Sequence, residues 1–248
     1  MSSNPWLAFT KPRPHARVRL FCFPFAGGAA SAYRTWNRDL PDSIDVCPVQ
    51  LPGRETRMRE PLLRDMPSLV AALAEGLKQY DDLPYAIFGH SMGARIGFEL
   101  ARHWRRSGRG EPRHFFASAA RPPSRGAGKT IRHLLSDALL TEQIRQIGGT
   151  HELVLQDQAL MQIFLPILRA DFMLHETYRY LPDEPLTCGL TVLAGEHDEE
   201  VSLAELQFWR QETLGEFTCR SIPAGHLFLQ TGQPHVLQTI CEMLMPWM

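Results

Sequence analysis

The sequence predicts an α/β fold: a mostly parallel central sheet with helices on both faces and a helical insertion in the second half of the chain. Three observations predict it. Short apolar runs alternate with stretches of helical periodicity, the pattern of a sheet covered on both faces. Several of the runs are hydrophobic almost without a break, as strands buried on both faces are. One stretch, from about 136 to 180, is helical with no strand in it. The chain has 248 residues, 44% hydrophobic and 21% charged. That is ordinary globular composition, long enough for one sizeable core, and the expectation is a single domain over 1–248.

The strands are expected over 18–23 (VRLFCF), 44–49 (IDVCPV), 85–88 (YAIF), 114–117, 190–194 and 217–222. Between them, 68–79 carries Leu69, Ala72, Leu73 and Leu77 at helical spacing, and 94–106 carries Ile96, Leu100 and Trp104 in the same way. Ser202 and Glu205 form an S-x-x-E capping box that opens a helix expected to run through Leu214. A last helix follows Pro234. The insertion is placed at about 126–180. Leu139, Leu140, Ile144 and Ile147 form one apolar face in it, and Leu160, Met161, Phe164, Leu165 and Leu168 another. Gly126, Gly128, Gly148 and Gly149 supply joints, so a mobile lid and a fixed wall are both compatible with the sequence.

The composition argues against several function classes. A net charge of −1 is not that of an electrostatic nucleic-acid binder, which needs a strongly basic face. No apolar run reaches the roughly 18 residues of a membrane span. The polar, proline-rich segment 1–14 has no apolar stretch of the kind a signal peptide needs. The cysteines, Cys22, Cys47, Cys188, Cys219 and Cys241, are odd in number and form no C-x-x-C pair. They read as reduced core thiols of a cytoplasmic protein rather than as a disulfide framework or metal site.

Gly89-His90-Ser91-Met92-Gly93 matches G-x-S-x-G. The pattern alone is weak, because Gly and Ser are common. Its setting, an apolar strand leading in and a helix leading out, is what a nucleophile elbow requires, and it makes Ser91 the candidate nucleophile. A serine hydroxyl needs a base to take its proton, and in an elbow fold the partners follow in the order Ser, acid, His. The strand 190–194 runs into Gly195-Glu196-His197-Asp198, and the strand 217–222 into Pro223-Ala224-Gly225-His226. His226 is therefore the expected base, over His235 at a helix start and His197 in the acid loop. Asp198 is the expected acid, with Glu196, Glu199 and Glu200 as competitors. The oxyanion of acyl transfer needs aimed N–H donors. The amide of Met92, next to the nucleophile, is one. The second is assigned to Ala26 in the small-residue loop Pro24-Phe25-Ala26-Gly27-Gly28-Ala29. The rival for that loop, a phosphate cradle, lacks the G-K-[ST] that would follow it.

With these residues in place, LFCFPFAGG (20–28), PVQLPGRE (48–55), FGHSMGA (88–94), GGT (148–150), LRADFMLHETYRY (168–180) and AGHLFL (224–229) closely resemble the type II thioesterases of polyketide and nonribosomal peptide biosynthesis. The matches span nearly the whole chain in order, and PVQLPGRE, GHSMGA and RADF together are specific. The resemblance implies the α/β-hydrolase fold and a thioesterase that removes acyl or aminoacyl groups from the phosphopantetheine arm of carrier proteins. It implies acylation of Ser91 followed by hydrolysis, with no metal and no bound cofactor, the phosphopantetheine belonging to the carrier. The expected partner is an acyl or peptidyl carrier protein of a modular synthetase, and the expected state is a monomer. Two departures bear on the site. The family commonly has Asp-Pro-x-Val where this chain has Asp198-Glu199-Glu200-Val201, and often a glycine within the segment Ser118-Ala119-Ala120-Arg121-Pro122-Pro123.

Other readings stay open at this point. A carboxylesterase, a medium-chain fatty acyl thioesterase and a non-catalytic carrier-binding protein are the alternatives, fold analogy alone not deciding among them. Arg54, Arg57 and Arg59, or Arg102, Arg105, Arg106 and Arg109, form either a docking surface for an acidic carrier or a solvated arginine face, the commoner use of such residues. Leu139, Met161, Phe164 and Leu168 are either insertion core or acyl-pocket wall.

Overall fold

The computed structural model describes residues 4–126, 128 and 130–248. Among them, six parallel strands form one sheet: β1 (Val18–Phe23), β2 (Ile44–Pro48), β3 (Tyr85–His90), β4 (His114–Ser118), β5 (Gly189–Gly195) and β6 (Phe217–Ile222), in the spatial order β2-β1-β3-β4-β5-β6. All six match expected strands to within about two residues at either end. The chain moves outward from β1 to β2, then returns to place β3 on the other side of β1. That reversal opens a crevice at the carboxyl ends of β1 and β3, where open α/β sheets bind their ligands.

The unbroken hydrophobicity of the strands has a two-sided cause. Along β1, Phe21 and Phe23 enter one apolar cluster, while Val18, Leu20 and Cys22 enter another on the opposite face. Tyr85 and Ile87 of β3 face the first cluster, Ala86 and Phe88 the second. This is the period of two applied to a sheet with no wet face. The helices are α1 (Trp36–Asp39), α2 (Met66–Gly76), α3 (Met92–Arg106), α4 (Asp137–Ile147), α5 (Glu152–Gln156), α6 (Gln158–Glu176), α7 (Leu203–Leu206) and α8 (Gln233–Leu244). Helices α2 and α3 cover the first face with Leu69, Leu73, Ile96, Leu100 and Trp104; Trp36, Val236 and Ile240 cover the second. Each large apolar side chain buried this way contributes about 1.5–3 kcal/mol.

Three boundaries differ from the sequence expectation. Helix α2 starts at Met66 rather than 68, because the Asp65 side chain accepts from Ser68 N at 2.8 Å and Pro67 sits in the first turn, where no N–H is needed. The Ser202–Glu205 capping box forms, yet the α-helix it opens ends at Leu206 and tightens into a 3₁₀ stretch over Gln207–Glu212. There Trp209 is fully buried and its indole N–H donates to Ala120 O at 2.6 Å, so tertiary packing overrides the longer helix. Third, the apolar faces expected in the insertion are only partly inward: Leu140, Ile144, Met161, Leu165 and Leu168 are buried together, whereas Leu139 and Leu160 are exposed.

The helical segment α4–α6 lies between β4 and β5 and carries its own small core, to which Leu155 and Phe172 add. Ser136 and Asp157 cap α4 and α6. Gly126, Gly128, Gly148 and Gly149 all have positive φ. Residues 127 and 129 of the expected span, and residues 1–3 of the N-terminal segment, lie outside the described residues. No helix among the described residues is long and apolar enough to cross a membrane.

Candidate active site

Strand β3 ends at His90, and α3 begins at Met92. Ser91 occupies the turn between them with φ 53° and ψ −118°, a conformation that costs a non-glycine residue about 1–3 kcal/mol and persists only when its surroundings impose it. They do so here by backbone bonds: Ser91 N donates to Ser118 O at 2.7 Å, and Ser91 O accepts from Ala94 N at 3.1 Å. Position 93 admits only glycine, since a Cβ there would lie 2.2 Å from the Phe23 carbonyl oxygen. The sequence pattern therefore reflects how closely α3 is drawn against the end of β1.

Ser91, Asp198 and His226 are brought together. Ser91 Oγ lies 3.0 Å from His226 Nε2, and His226 Nδ1 lies 2.8 Å from Asp198 Oδ2. A carboxylate only accepts, so Nδ1 carries the proton and Nε2 is free to accept from the serine hydroxyl. The Asp198 side chain is wholly buried and that of His226 nearly so. The two loops that carry them are stitched by His197 N to Ala224 O (3.0 Å) and Glu196 N to Ile222 O (2.9 Å). Gly195 permits that approach, because a Cβ there would lie 2.6 Å from Gly225 O.

The competitors are elsewhere. Glu196, Glu199, His197 and His235 are exposed, and Glu200 is paired bidentately with Arg132 at 2.7 and 2.8 Å. Neither departure from the family pattern disturbs the site. Without the proline, Asp198 Oδ1 accepts from Glu200 N (2.8 Å) and Val201 N (3.0 Å), which fixes the acid loop by hydrogen bonds. In the segment after β4, Ala119 takes a positive φ of 48°, the backbone geometry that glycine adopts without strain.

Ala26 and Met92 border the same cavity as Ser91 and His226. Gly28 N donates to Phe25 O at 2.8 Å, closing a turn with Ala26 and Gly27 at its apex. Gly27 N is tied to Asp171 Oδ2 at 2.7 Å. Among the described residues, the Ala26 amide has no protein acceptor, and Met92, first in its helix, has none by position.

Sequence reasoning missed what holds this loop. Arg54, from PVQLPGRE, forms two bonds of 2.6 and 2.8 Å with Asp171, from RADF on α6, and donates to Gly28 O at 3.1 Å. Both side chains are almost fully buried. Gln50 accepts from Ala30 N and donates to Arg54 O. Residues of LFCFPFAGG, PVQLPGRE and RADF thus join in one buried polar network that fastens the loop 24–29 to α6, which lines the cavity. Removing one partner of such a pair leaves a buried charge uncompensated. Asp171→Ala is expected to lower unfolding stability by about 3–5 kcal/mol, read as a fall in the urea midpoint. An unchanged midpoint would show that the pair contributes nothing.

The arginines read as a docking surface or a solvated face turn out to be mostly neither. Arg57 is buried, bonded to Glu60 (2.5 and 2.8 Å) and Gln50 O (3.0 Å), with its guanidinium over the Trp6 ring. Arg102 is buried against Glu99, and Arg109 lies over Trp104. Arg105 and Arg106 pair with Asp183, and Arg59 is exposed. Near neighbours such as Glu60 and Glu99 combine with distant groups such as Trp6 and Asp183 to draw these side chains in.

His90, the variable position of the elbow motif, also matters to the geometry. Its Nε2–H donates to His226 O at 2.9 Å, and its Nδ1 accepts from Ser118 Oγ at 2.8 Å. Burial, and next the neighbouring His226, hold its pKa well below the usual imidazole value. It is a neutral strut under the His226 backbone.

A thioesterase domain family model matches residues 18–244. The chain is 39% identical over 241 residues to the gramicidin S biosynthesis protein GrsT of Aneurinibacillus migulanus, covering 97% of this chain and 94% of that protein. The solved structure of the RedJ thioesterase from the prodiginine biosynthetic pathway of Streptomyces coelicolor matches with a TM-score of 0.89 at 38% identity, over 94% of this chain and 92% of that one. The type II thioesterase BorB from the borrelidin biosynthetic cluster matches with a TM-score of 0.89 at 36% identity, over 98% and 99% of the two chains. With a serine, histidine and aspartate in hydrogen-bonded series at the crevice of an α/β-hydrolase sheet, the chain belongs to the thioesterase family as a type II thioesterase, a thioester hydrolase.

Proposed function

We propose that this protein clears acyl and aminoacyl groups from the phosphopantetheine arm of carrier proteins in a polyketide or nonribosomal peptide assembly line. In this reading Ser91 is the nucleophile, His226 the general base and acid, and Asp198 the orienting carboxylate, with the Met92 and Ala26 amides as oxyanion donors. The observation that carries it is the unbroken series Ser91 Oγ–His226 Nε2–His226 Nδ1–Asp198 Oδ2, at 3.0 and 2.8 Å, beside a cavity walled by Ile144, Ile147, Phe164 and Leu168.

The chemistry follows in two steps. Ser91 Oγ attacks the thioester carbonyl as His226 Nε2 takes its proton, and the oxyanion is held by the two amides. The carbon–sulfur bond breaks, and the carrier thiolate leaves with the proton from His226. Water then enters, gives a proton to His226 Nε2 and attacks the acyl-serine. The carbon–oxygen bond breaks, the proton returns to Ser91 Oγ, and the free acid departs. Asp198 stays ionised throughout and stabilises the imidazolium. The protein acts as a cytoplasmic monomer in this reading. Five free cysteines, three of them buried, support a reducing compartment.

The test is a parallel assay of an acetyl-loaded carrier protein, a medium-chain acyl carrier and a small oxygen ester, with mass spectrometry of the Ser91 peptide. Acid release from the acetyl carrier, faster than from the other two and with an acetyl adduct on Ser91, is the expected result. Preference for the oxygen ester would make it a carboxylesterase, and preference for the medium chain a fatty acyl thioesterase. Carrier binding without release of acid would make it a scaffold.

A further inference from the structure

The cavity beside Ser91 is not uniformly apolar. Helix α6 lines it with Phe164, Leu168 and Phe172, and in the last turn of the same helix with His175. Near His175 the wall becomes polar, with Arg121, Arg132 and Glu200.

The tautomer of His175 is set by Arg95. This α3 arginine is buried to 1% exposure, and no carboxylate bonds to it among the described residues. Its Nη1 donates to His175 O at 2.9 Å and lies 3.2 Å from His175 Nδ1, while Nη2 donates to Gly126 O at 2.7 Å. A guanidinium has donors only, so Nδ1 must accept and the ring proton sits on Nε2. Burial, and then the cationic Arg95 and Arg132, hold the imidazole pKa well below its ordinary value, so the ring stays neutral. Among the described residues, Nε2–H has no protein acceptor. A neutral ring with a fixed, unspent donor therefore borders the acyl cavity.

The charges around it are already committed. Glu200 is bidentate to Arg132, and Arg121 pairs with Glu205 at 2.7 Å. An ammonium group entering here meets two guanidiniums and no free carboxylate. An uncharged oxygen meets a donor.

We propose that His175 is a specificity-determining residue, whose Nε2–H selects acyl chains carrying a hydroxyl or carbonyl oxygen over plain alkyl chains and over chains carrying an amine. The proposal rests on the thioesterase reading and narrows it, ranking amine-bearing chains below oxygenated ones among the acyl groups the enzyme clears. A site built to bond a substrate oxygen disfavours the analogue that lacks it, because the donor is left unpaired. In a cavity still open to water, one such bond corresponds to about a tenfold preference.

The experiment compares kcat/KM for the butanoyl, 3-hydroxybutanoyl and 3-aminobutanoyl thioesters of pantetheine with wild type, His175→Phe and His175→Gln. The readout is the ratio between substrates within each protein, so partial loss of folded enzyme cancels. The hydroxy-to-butanoyl ratio is expected to fall about tenfold in His175→Phe and to recover in His175→Gln, whose amide N–H can take the place of Nε2–H. Wild type is expected to hydrolyse the 3-amino substrate more slowly than either of the others. An equal hydroxy-to-butanoyl ratio in all three proteins overturns the proposal. So does a ratio lowered equally in both variants, since disturbance of Arg95 rather than loss of the donor would then be the cause. A wild-type preference for the amine, which needs no variant to detect, overturns it as well. If wild type releases no acid from any of the three, the thioesterase reading itself fails, a result distinct from an unselective but active enzyme.

Discussion

Replacing Ser91 with alanine is expected to lower kcat for thioester hydrolysis by about 10⁴–10⁶-fold, the scale seen when the nucleophile of a serine triad is removed. The reason is geometric. Among the described residues, Ser91 Oγ is the hydroxyl bonded to His226 Nε2, and no other side chain stands ready to accept the acyl group. The fold is expected to survive, because the turn is imposed by backbone bonds to Ser118 and Ala94, which alanine retains. Ser91→Gly sharpens the prediction. It should be as inactive as the alanine variant yet more thermally stable, since glycine adopts φ 53° without the side-chain penalty. Stopped-flow or quenched hydrolysis of an acetyl carrier, with melting curves on the same samples, measures both. Near-wild-type turnover in either variant would mean that a different group carries the acyl chain.

Asp198→Asn is expected to cost about 10⁴-fold in kcat with little loss of stability. The hydrogen bonds around Asp198 dictate how the amide will sit. Oδ1 already accepts from Glu200 N and Val201 N, so the asparagine oxygen is held there and its NH₂ is turned toward His226 Nδ1. That nitrogen must then accept, the ring proton moves to Nε2, and Nε2 can no longer take the proton from Ser91 Oγ. The variant should bind substrate and stall before acylation, so a burst of carrier thiol is lost together with the steady-state rate. A burst of normal size with slow turnover would place the defect in deacylation and contradict the tautomer argument.

The site that these variants probe was written largely in local sequence. A strand, a tight turn and a helix beginning at Met92 are all local events, so Ser91 could be picked out from G-x-S-x-G in its setting, although the contact that demands glycine at 93 comes from the distant Phe23 O. Asp198 and His226 were found because each lies just after a strand, and parallel strands place their carboxyl ends at one edge of the sheet. The six strands were legible for a related reason: burial on both faces leaves runs that are apolar throughout.

The sequence by itself determined the α/β class and the strands, and it pointed to the serine, aspartate and histidine that the fold brings together, because these rest on periodicity, turn chemistry and the order of strand ends along the chain. Only the tertiary structure decided what Arg54, Asp171, His90, Arg95 and His175 do. Arg54 and Asp171 are 117 positions apart, Arg95 and His175 80. Each of these side chains is polar and would read as surface from its own neighbourhood. Burying it is tolerable only because a specific partner arrives from a distant element, and a charge or donor taken out of water without that partner would cost more than the local sequence could recover.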